Sequence, residues 1–130
     1  MATVTFRDET ATGKPLTEWE VAGQPERMTV RELIRLRVRE EAARHNARPT
    51  NHFNGLVRPD DAETELNGYR LHEPRRIDWQ RQADIAERAF LSNGFFILAG
   101  DRQVEDLDEV VDLTTDPDLV FIKLVALVGG

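Results

Sequence analysis

Thr3-Val4-Thr5-Phe6, Thr10-Ala11-Thr12-Gly13-Lys14-Pro15, Leu16-Thr17-Glu18-Trp19-Glu20-Val21 and Thr29-Val30-Arg31-Glu32 follow one another in the first quarter of the chain. The first tetrapeptide alternates polar and apolar residues, as a half-buried strand does. The second stretch is rich in turn formers, and the third resumes a strand pattern, so the three read as a hairpin. Ala22-Gly23-Gln24-Pro25 then breaks the strand. Thr29-Val30-Arg31-Glu32 has the spacing of a capping box, in which the Thr29 hydroxyl accepts the Glu32 amide and the Glu32 carboxylate reaches back. Val30, Leu33, Ile34, Val38 and Ala42 fall on one face of the helix that follows. Arg37 with Glu41, and Glu40 with Arg44, are spaced to pair on its surface, and the helix is expected to end near Asn46.

The segment from about 47 to 94 has a different character. Pro49, Gly55, Pro59, Gly68 and Pro74 interrupt it, and Asp60, Asp61, Glu63 and Glu65 make its middle acidic. Its first part reads as a long irregular stretch, which in a folded domain is usually functional. Asp78 can cap a second helix that carries Trp79, Ala83, Ala86 and Phe90 at helical spacing, with Ser92-Asn93-Gly94 as the stop. Phe95-Phe96-Ile97-Leu98 reads as a strand ended by Ala99-Gly100. Asp101 to Asp112 reads as acidic and turn-like, and Leu119 to Val125 as the last strand. Strand, strand, helix, insertion, strand, irregular segment and strand is the order of an α+β protein. The hairpin, the helix and a final strand beside the first form the β-grasp plan, a mixed sheet packed on one helix. The expectation is a single domain over 1–130 with an insertion at about 47–94 carrying a loop and a second helix.

Composition narrows the function classes. The 130 residues are 40% hydrophobic and 32% charged, which suits a folded soluble chain. A net charge of −7 argues against nucleic acid as the main partner, because phosphate binding needs a positive field. The absence of cysteine excludes disulfides, thiolate metal sites and a cysteine nucleophile. His45, His52 and His72 lack metal-ligand spacing, the carboxylates from Glu105 to Asp118 lack that of a calcium loop, and Ser92 is the only serine. No metal, cofactor or catalytic residue is therefore expected. The polar N-terminus carries no secretory signal, and the apolar run from Leu119 to Val128 is too short to span a bilayer, so a cytoplasmic protein without membrane contact is expected.

The chain ends in Ala126-Leu127-Val128-Gly129-Gly130. A terminal Gly carboxylate has no side chain beside it, so it can be threaded through a narrow channel to a reacting phosphate. By itself a Gly-Gly end is weak evidence, since frayed ends after a last strand are common.

At this point the chain resembles ubiquitin and its relatives. Thr10-Ala11-Thr12-Gly13-Lys14 is similar to the Thr-Leu-Thr-Gly-Lys turn of ubiquitin's first hairpin, and Leu16 to Val21 follows as its second strand would. Ile97-Leu98-Ala99-Gly100 is similar to Ile-Phe-Ala-Gly, and Gln103-Val104-Glu105-Asp106 to Gln-Leu-Glu-Asp. Leu124-Val125 to Gly130 sits where the final strand and Gly-Gly tail sit. The matches keep their order and leave the segment from Asn46 to Gly94 uncovered.

The resemblance implies a protein modifier without catalytic side chains. An ATP-dependent activating enzyme would adenylate the Gly130 carboxylate and pass it to a thiol. The acyl group would then reach a target amine, with a conjugating enzyme and a deconjugating peptidase as further partners. Sulfur carriers of the same fold stop after the first step and hold a thiocarboxylate, and a third reading is a binding module that is never conjugated. Gly129 and Gly130 are the conjugation residues and Ala126, Leu127 and Val128 the tail recognised by the activating enzyme. Ubiquitin's partner patch maps to Ala11, Ile97, Leu124 and Gly100. The tail lacks the arginines that precede Gly-Gly in ubiquitin, which implies a dedicated activating enzyme. Only Lys14 and Lys123 are available as acceptor lysines. Both the Phe95–Leu98 and the Val120–Leu127 strands are apolar on successive residues, so the second sheet face needs a cover or a partner. The helix from Asp78 to Leu91, through Trp79, Ala86 and Phe90, is expected to supply that cover.

Overall fold

A computed structural model describes residues 1–65 and 68–123. In chain order the elements are β1 (Ala2–Glu9), β2 (Pro15–Gln24), β3 (Arg27–Thr29), α1 (Val30–Ala47), β4 (His52–Phe53), β5 (Glu63–Glu65), β6 (Gly68–Arg70), α2 (Trp79–Leu91), β7 (Phe95–Ala99), β8 (Arg102–Val104), β9 (Val110–Asp112) and β10 (Asp118–Lys123). The structure is α+β, with a mixed sheet and two helices. The chain divides into two compact units. One is Met1–Glu32 with the described residues of Phe90–Gly130, and the other is Leu33–Ala89. The division begins inside α1, earlier than the insertion point near residue 47 expected from the sequence.

The first unit is built on a five-stranded sheet in the order β2-β1-β10-β7-β8. β1 and β2 pair antiparallel, while β1 and β10 pair parallel with Phe6 opposite Leu119 and Asp8 opposite Phe121. β7 joins β10 antiparallel, with Ile97 opposite Phe121, and β8 extends the edge. Val4, Phe6, Leu119, Phe121, Phe95, Ile97 and Ala99 are buried on one face. Aromatic rings run across that face. Trp19 lies 4.9 Å from Phe6, Phe6 lies 5.8 Å from Phe121, and Phe121 and Phe90 each lie 5.9 Å from Phe95. Phe90 thus packs beside Phe95 on the buried face and not against the opposite one, as the covering-helix expectation required.

Local signals place the connections. In the first hairpin the Lys14 amide donates to the Thr10 hydroxyl at 3.0 Å, and Gly13 takes a φ of +87°, a region a Cβ disfavours. The capping box forms as the spacing predicts. The Glu32 amide donates to the Thr29 hydroxyl at 3.1 Å, and the Thr29 amide donates to the Glu32 carboxylate at 2.9 Å. The free amides of Val30 and Arg31 donate to the carbonyls of Glu109 and Leu107, each at 2.9 Å. The segment from Asp101 to Asp112 is therefore not simply turn-like. It carries β8 at the sheet edge and β9, which pairs with β3 as Met28 opposite Val111.

The second unit replaces the expected irregular stretch with a small sheet and a set of side-chain clasps. β4, β6 and β5 form a three-stranded antiparallel sheet. Ala42, Phe53, Ala62, Leu71 and Ile77 form its core, with Tyr69 and Trp79 packed against them. Asn46 grips the backbone of Ile77 both ways, accepting its amide at 2.7 Å and donating to its carbonyl at 2.9 Å. Gln82 donates to the Val57 carbonyl at 2.7 Å, and His45 lies 2.7 Å from the Arg75 carbonyl. Asp78 caps α2 as expected, accepting the Gln80 amide at 3.0 Å. Its stop falls within the expected Ser92-Asn93-Gly94, where Asn93 takes a φ of +62°.

The Arg37–Glu41 pair is not a surface pair. Arg37 is 2% exposed and Glu41 8% exposed, and they meet at 3.3 Å. The other Glu41 oxygen accepts the Leu56 amide at 3.2 Å, tying the loop to α1. Burial pushes the Tyr69 hydroxyl above its ordinary range, and the Glu41 carboxylate adds to the effect. Because the folded value is raised, this contribution to stability is complete below the unfolded value near 10 and is lost as the pH rises through the folded value. Glu41→Gln keeps an acceptor for Leu56 but removes the carboxylate charge that faces the buried Arg37. A loss of about 3 kcal/mol in urea unfolding is expected. Tyr69 is the only tyrosine, so its ultraviolet titration is readable alone. Its midpoint should lie above 10 in the parent and fall partway back in the variant.

Candidate functional site

The candidate surface is the second face of the five-stranded sheet. Strand alternation fixes what it contains. Phe95, Ile97 and Ala99 of β7 are buried, so Phe96 and Leu98 point to the opposite side, where both are half-buried. Register sets Val120 opposite Leu98 and Ile122 opposite Phe96, and both are half-buried as well. Next to this apolar strip, β1 places Arg7 beside Val120 and Glu9 beside Ile122. Arg7 lies 3.2 Å from Glu18 and 3.7 Å from Asp118. Four apolar side chains thus border a band of paired charges.

Ile97 does not belong to this surface. It is 1% exposed and shares the buried face with Phe121 and Val104, its neighbours in register. The resemblance put Ile97 in the partner patch, but the parity of β7 turns it inward. That parity follows from Phe95, not Phe96, packing against Phe121 and Phe90. Phe96, Leu98, Val120 and Ile122 take the outward positions instead. No local pattern reveals this, because all four residues from Phe95 to Leu98 are apolar.

Ala11 and Gly100 are both exposed, but the sheet separates them. The Ala11 turn follows Glu9, which pairs with Ile122 at one end of β10. Gly100 follows Ala99, which pairs with Leu119 towards the other end. Gly100 has a backbone reason for being glycine, with φ at +62° and a Cβ position 2.8 Å from the Asp116 carboxylate. Lys14 is exposed in the first turn, and Lys123 is half-buried at the end of β10. Both lysines lie at the Glu9–Ile122 end of the sheet. Leu124, Ala126, Leu127, Val128, Gly129 and Gly130 lie outside the described residues.

Among the described residues no three His, Asp or Glu side chains gather as a metal site, and no helix is long and apolar enough to cross a membrane. Charge divides unevenly along the chain. Leu33–Ala89 has eleven Arg and ten acidic residues, whereas the remainder has six basic and fourteen acidic residues. The field around the sheet is therefore negative, and a cationic partner approaches it more readily than an anionic one. The chain matches no protein-family model, no curated protein and no solved structure.

The facing of β7 is open to a direct comparison. Ile97→Ala should lower stability by about 2–5 kcal/mol through cavity formation. Leu98→Ala, on the half-buried face, should lose less. Equal losses in chemical unfolding, or a larger one for Leu98, would contradict the assignment of faces.

Proposed function

We propose that this chain is a ubiquitin-like protein modifier of β-grasp fold, joined through the Gly130 carboxylate to target amines. The carrying observation is the sheet order β2-β1-β10-β7-β8 with β1 parallel to β10 at its centre. A final strand paired beside the first is what the β-grasp plan read from the sequence expects, and it supports this reading. The capped helix between the hairpin and the later strands supports the same reading. So does the segment Leu124–Gly130, which follows directly after β10 in sequence.

The chemistry asks little of the modifier. Gly130 must carry a free carboxylate, either as translated or after a peptidase removes residues beyond it. An ATP-dependent activating enzyme lets that carboxylate attack the α-phosphate of ATP, giving an acyl adenylate and pyrophosphate, and its thiol then displaces AMP to form a thioester. A target amine displaces the thiol, forming an amide. Absence of a side chain at Gly129 and Gly130 leaves the acyl carbon open to each nucleophile. Ala126, Leu127 and Val128 give the activating enzyme an apolar tail to grip, and the strip of Phe96, Leu98, Val120 and Ile122 offers later partners a docking face. Lys14 and Lys123 are the acceptor positions for chains of the modifier. The pathway would run in the cytoplasm, where ATP is supplied.

Mass spectrometry from the native host tests this reading. Tagged protein, with and without Gly129-Gly130, is purified under denaturing conditions and digested with trypsin. Cleavage after Lys123 leaves Leu124–Gly130 on any modified lysine. Adducts bearing that remnant, lost in the truncated form, are the expected result. Free protein in both samples excludes the modifier, and replacement of one oxygen by sulfur in its intact mass then identifies a sulfur carrier.

A further inference from the structure

The second unit has a groove of about 400 Å³ lined by Arg39, Ala42, Ala43, Asn46, Ala47, Arg76 and Trp79. Its volume is at the low end of the roughly 300–1,000 Å³ usual for ligand sites, enough for one anchor side chain and its neighbours. Alanine methyls on α1 and the half-buried Trp79 ring supply its apolar wall. Arg39 on α1 and Arg76 just ahead of α2 supply its charge. Neither guanidinium has a hydrogen bond or ion pair among the described residues. The neighbouring Arg35 is different. It lies 5.6 Å from the Trp79 ring centre and is neutralised by Asp84 at 3.3 Å and Glu87 at 2.6 Å. Two uncompensated cations thus bracket an apolar hollow in a protein whose net charge is −7.

The chemistry of the lining selects the occupant. Asn46 is the only side-chain amide in the groove, and its Nδ2 and Oδ1 each already hold the Ile77 backbone. That leaves one N–H and one lone pair on an amide already fixed in place by the backbone, a poor reader of a nucleobase edge. Arg35 occupies the Trp79 ring, which limits stacking of a second planar group. What remains is apolar area plus two guanidiniums, which pair with carboxylates bidentately. We infer that this groove is a docking site for an acidic peptide segment of a partner protein, with one apolar anchor side chain against Trp79 and flanking carboxylates on Arg39 and Arg76. The site shares no residue with the Gly130 tail on which the modifier reading rests.

The test uses the whole isotope-labelled chain and a blocked nonapeptide with one central leucine between runs of glutamate. The expected result is saturable NMR shifts at the Trp79 indole N–H and the Ala43 and Ala47 amides, weakened by added salt. Arg39→Ala/Arg76→Ala should weaken binding at least tenfold with the remaining spectrum unchanged. Arg39→Glu/Arg76→Glu should switch preference to the same peptide with lysine in place of glutamate. Removal of Gly129-Gly130 should leave binding unaltered, which separates this inference from the modifier reading. Four outcomes overturn it: no saturation at millimolar peptide, equal binding of a glutamine-for-glutamate control, full competition by inorganic phosphate at the peptide's own concentration, or tighter binding of single-stranded oligothymidylate at the same residues.

Discussion

The parallel pairing of β1 with β10 is the constraint on which the sheet depends. It joins the start of the chain to residues more than a hundred positions later, so everything between is a connection that must begin and end at this seam. Parallel neighbours cannot be linked by a tight turn and need a crossover. Here the crossover contains α1 and the second unit, which begins inside that helix. The seam is held by Phe6 and Phe121, buried rings from the two paired strands, which carry the aromatic row to Trp19 on one side and to Phe95 and Phe90 on the other. A long excursion is tolerated because closure entropy grows only slowly with loop length.

That excursion orders itself by other means. Its strands are two or three residues long and its apolar core is small. Polar side chains do much of the binding, and they act mostly on backbone. Asn46, Gln82 and Glu41 each satisfy a main-chain group of a segment that has no regular structure to satisfy it. This is how an irregular stretch meets the requirement that buried amides and carbonyls be paired. The buried Arg37–Glu41 pair fits the same logic. It contributes little net stability against a well-packed apolar substitute, but it fixes where the loop at Leu56 meets α1.

The two units differ in their surface chemistry as well as in their architecture. The sheet unit is strongly acidic, and its outward face carries an apolar strip beside paired charges. The inserted unit is nearly balanced in charge and holds its uncompensated arginines around a groove. The groove on the inserted unit adds a second recognition surface of the opposite charge preference.

The sequence by itself determined the features that reside in a few consecutive residues. The Thr29–Glu32 capping box, the Gly13 turn, the Asp78 cap and the order of the long elements all follow from local hydrogen bonding and backbone preference, which act before any tertiary contact exists. Tertiary structure decided what local pattern leaves degenerate. Phe95 to Leu98 is apolar at every position, so its inward parity came from Phe121 and Phe90. Arg37 and Glu41 have ordinary surface spacing, so their burial came from tertiary packing, with the loop at Leu56 bonded to Glu41. β3, β4, β5, β6, β8 and β9 are too short to carry a period, and each exists because a partner strand supplies its hydrogen bonds. The groove has the same origin, since Arg39 and Arg76 are 37 positions apart and meet only where Asn46 pins Ile77 beside α1. Local chemistry sets the ends and turns of elements, whereas the facing of a uniformly apolar strand and the meeting of distant charges are settled only by what packs against them.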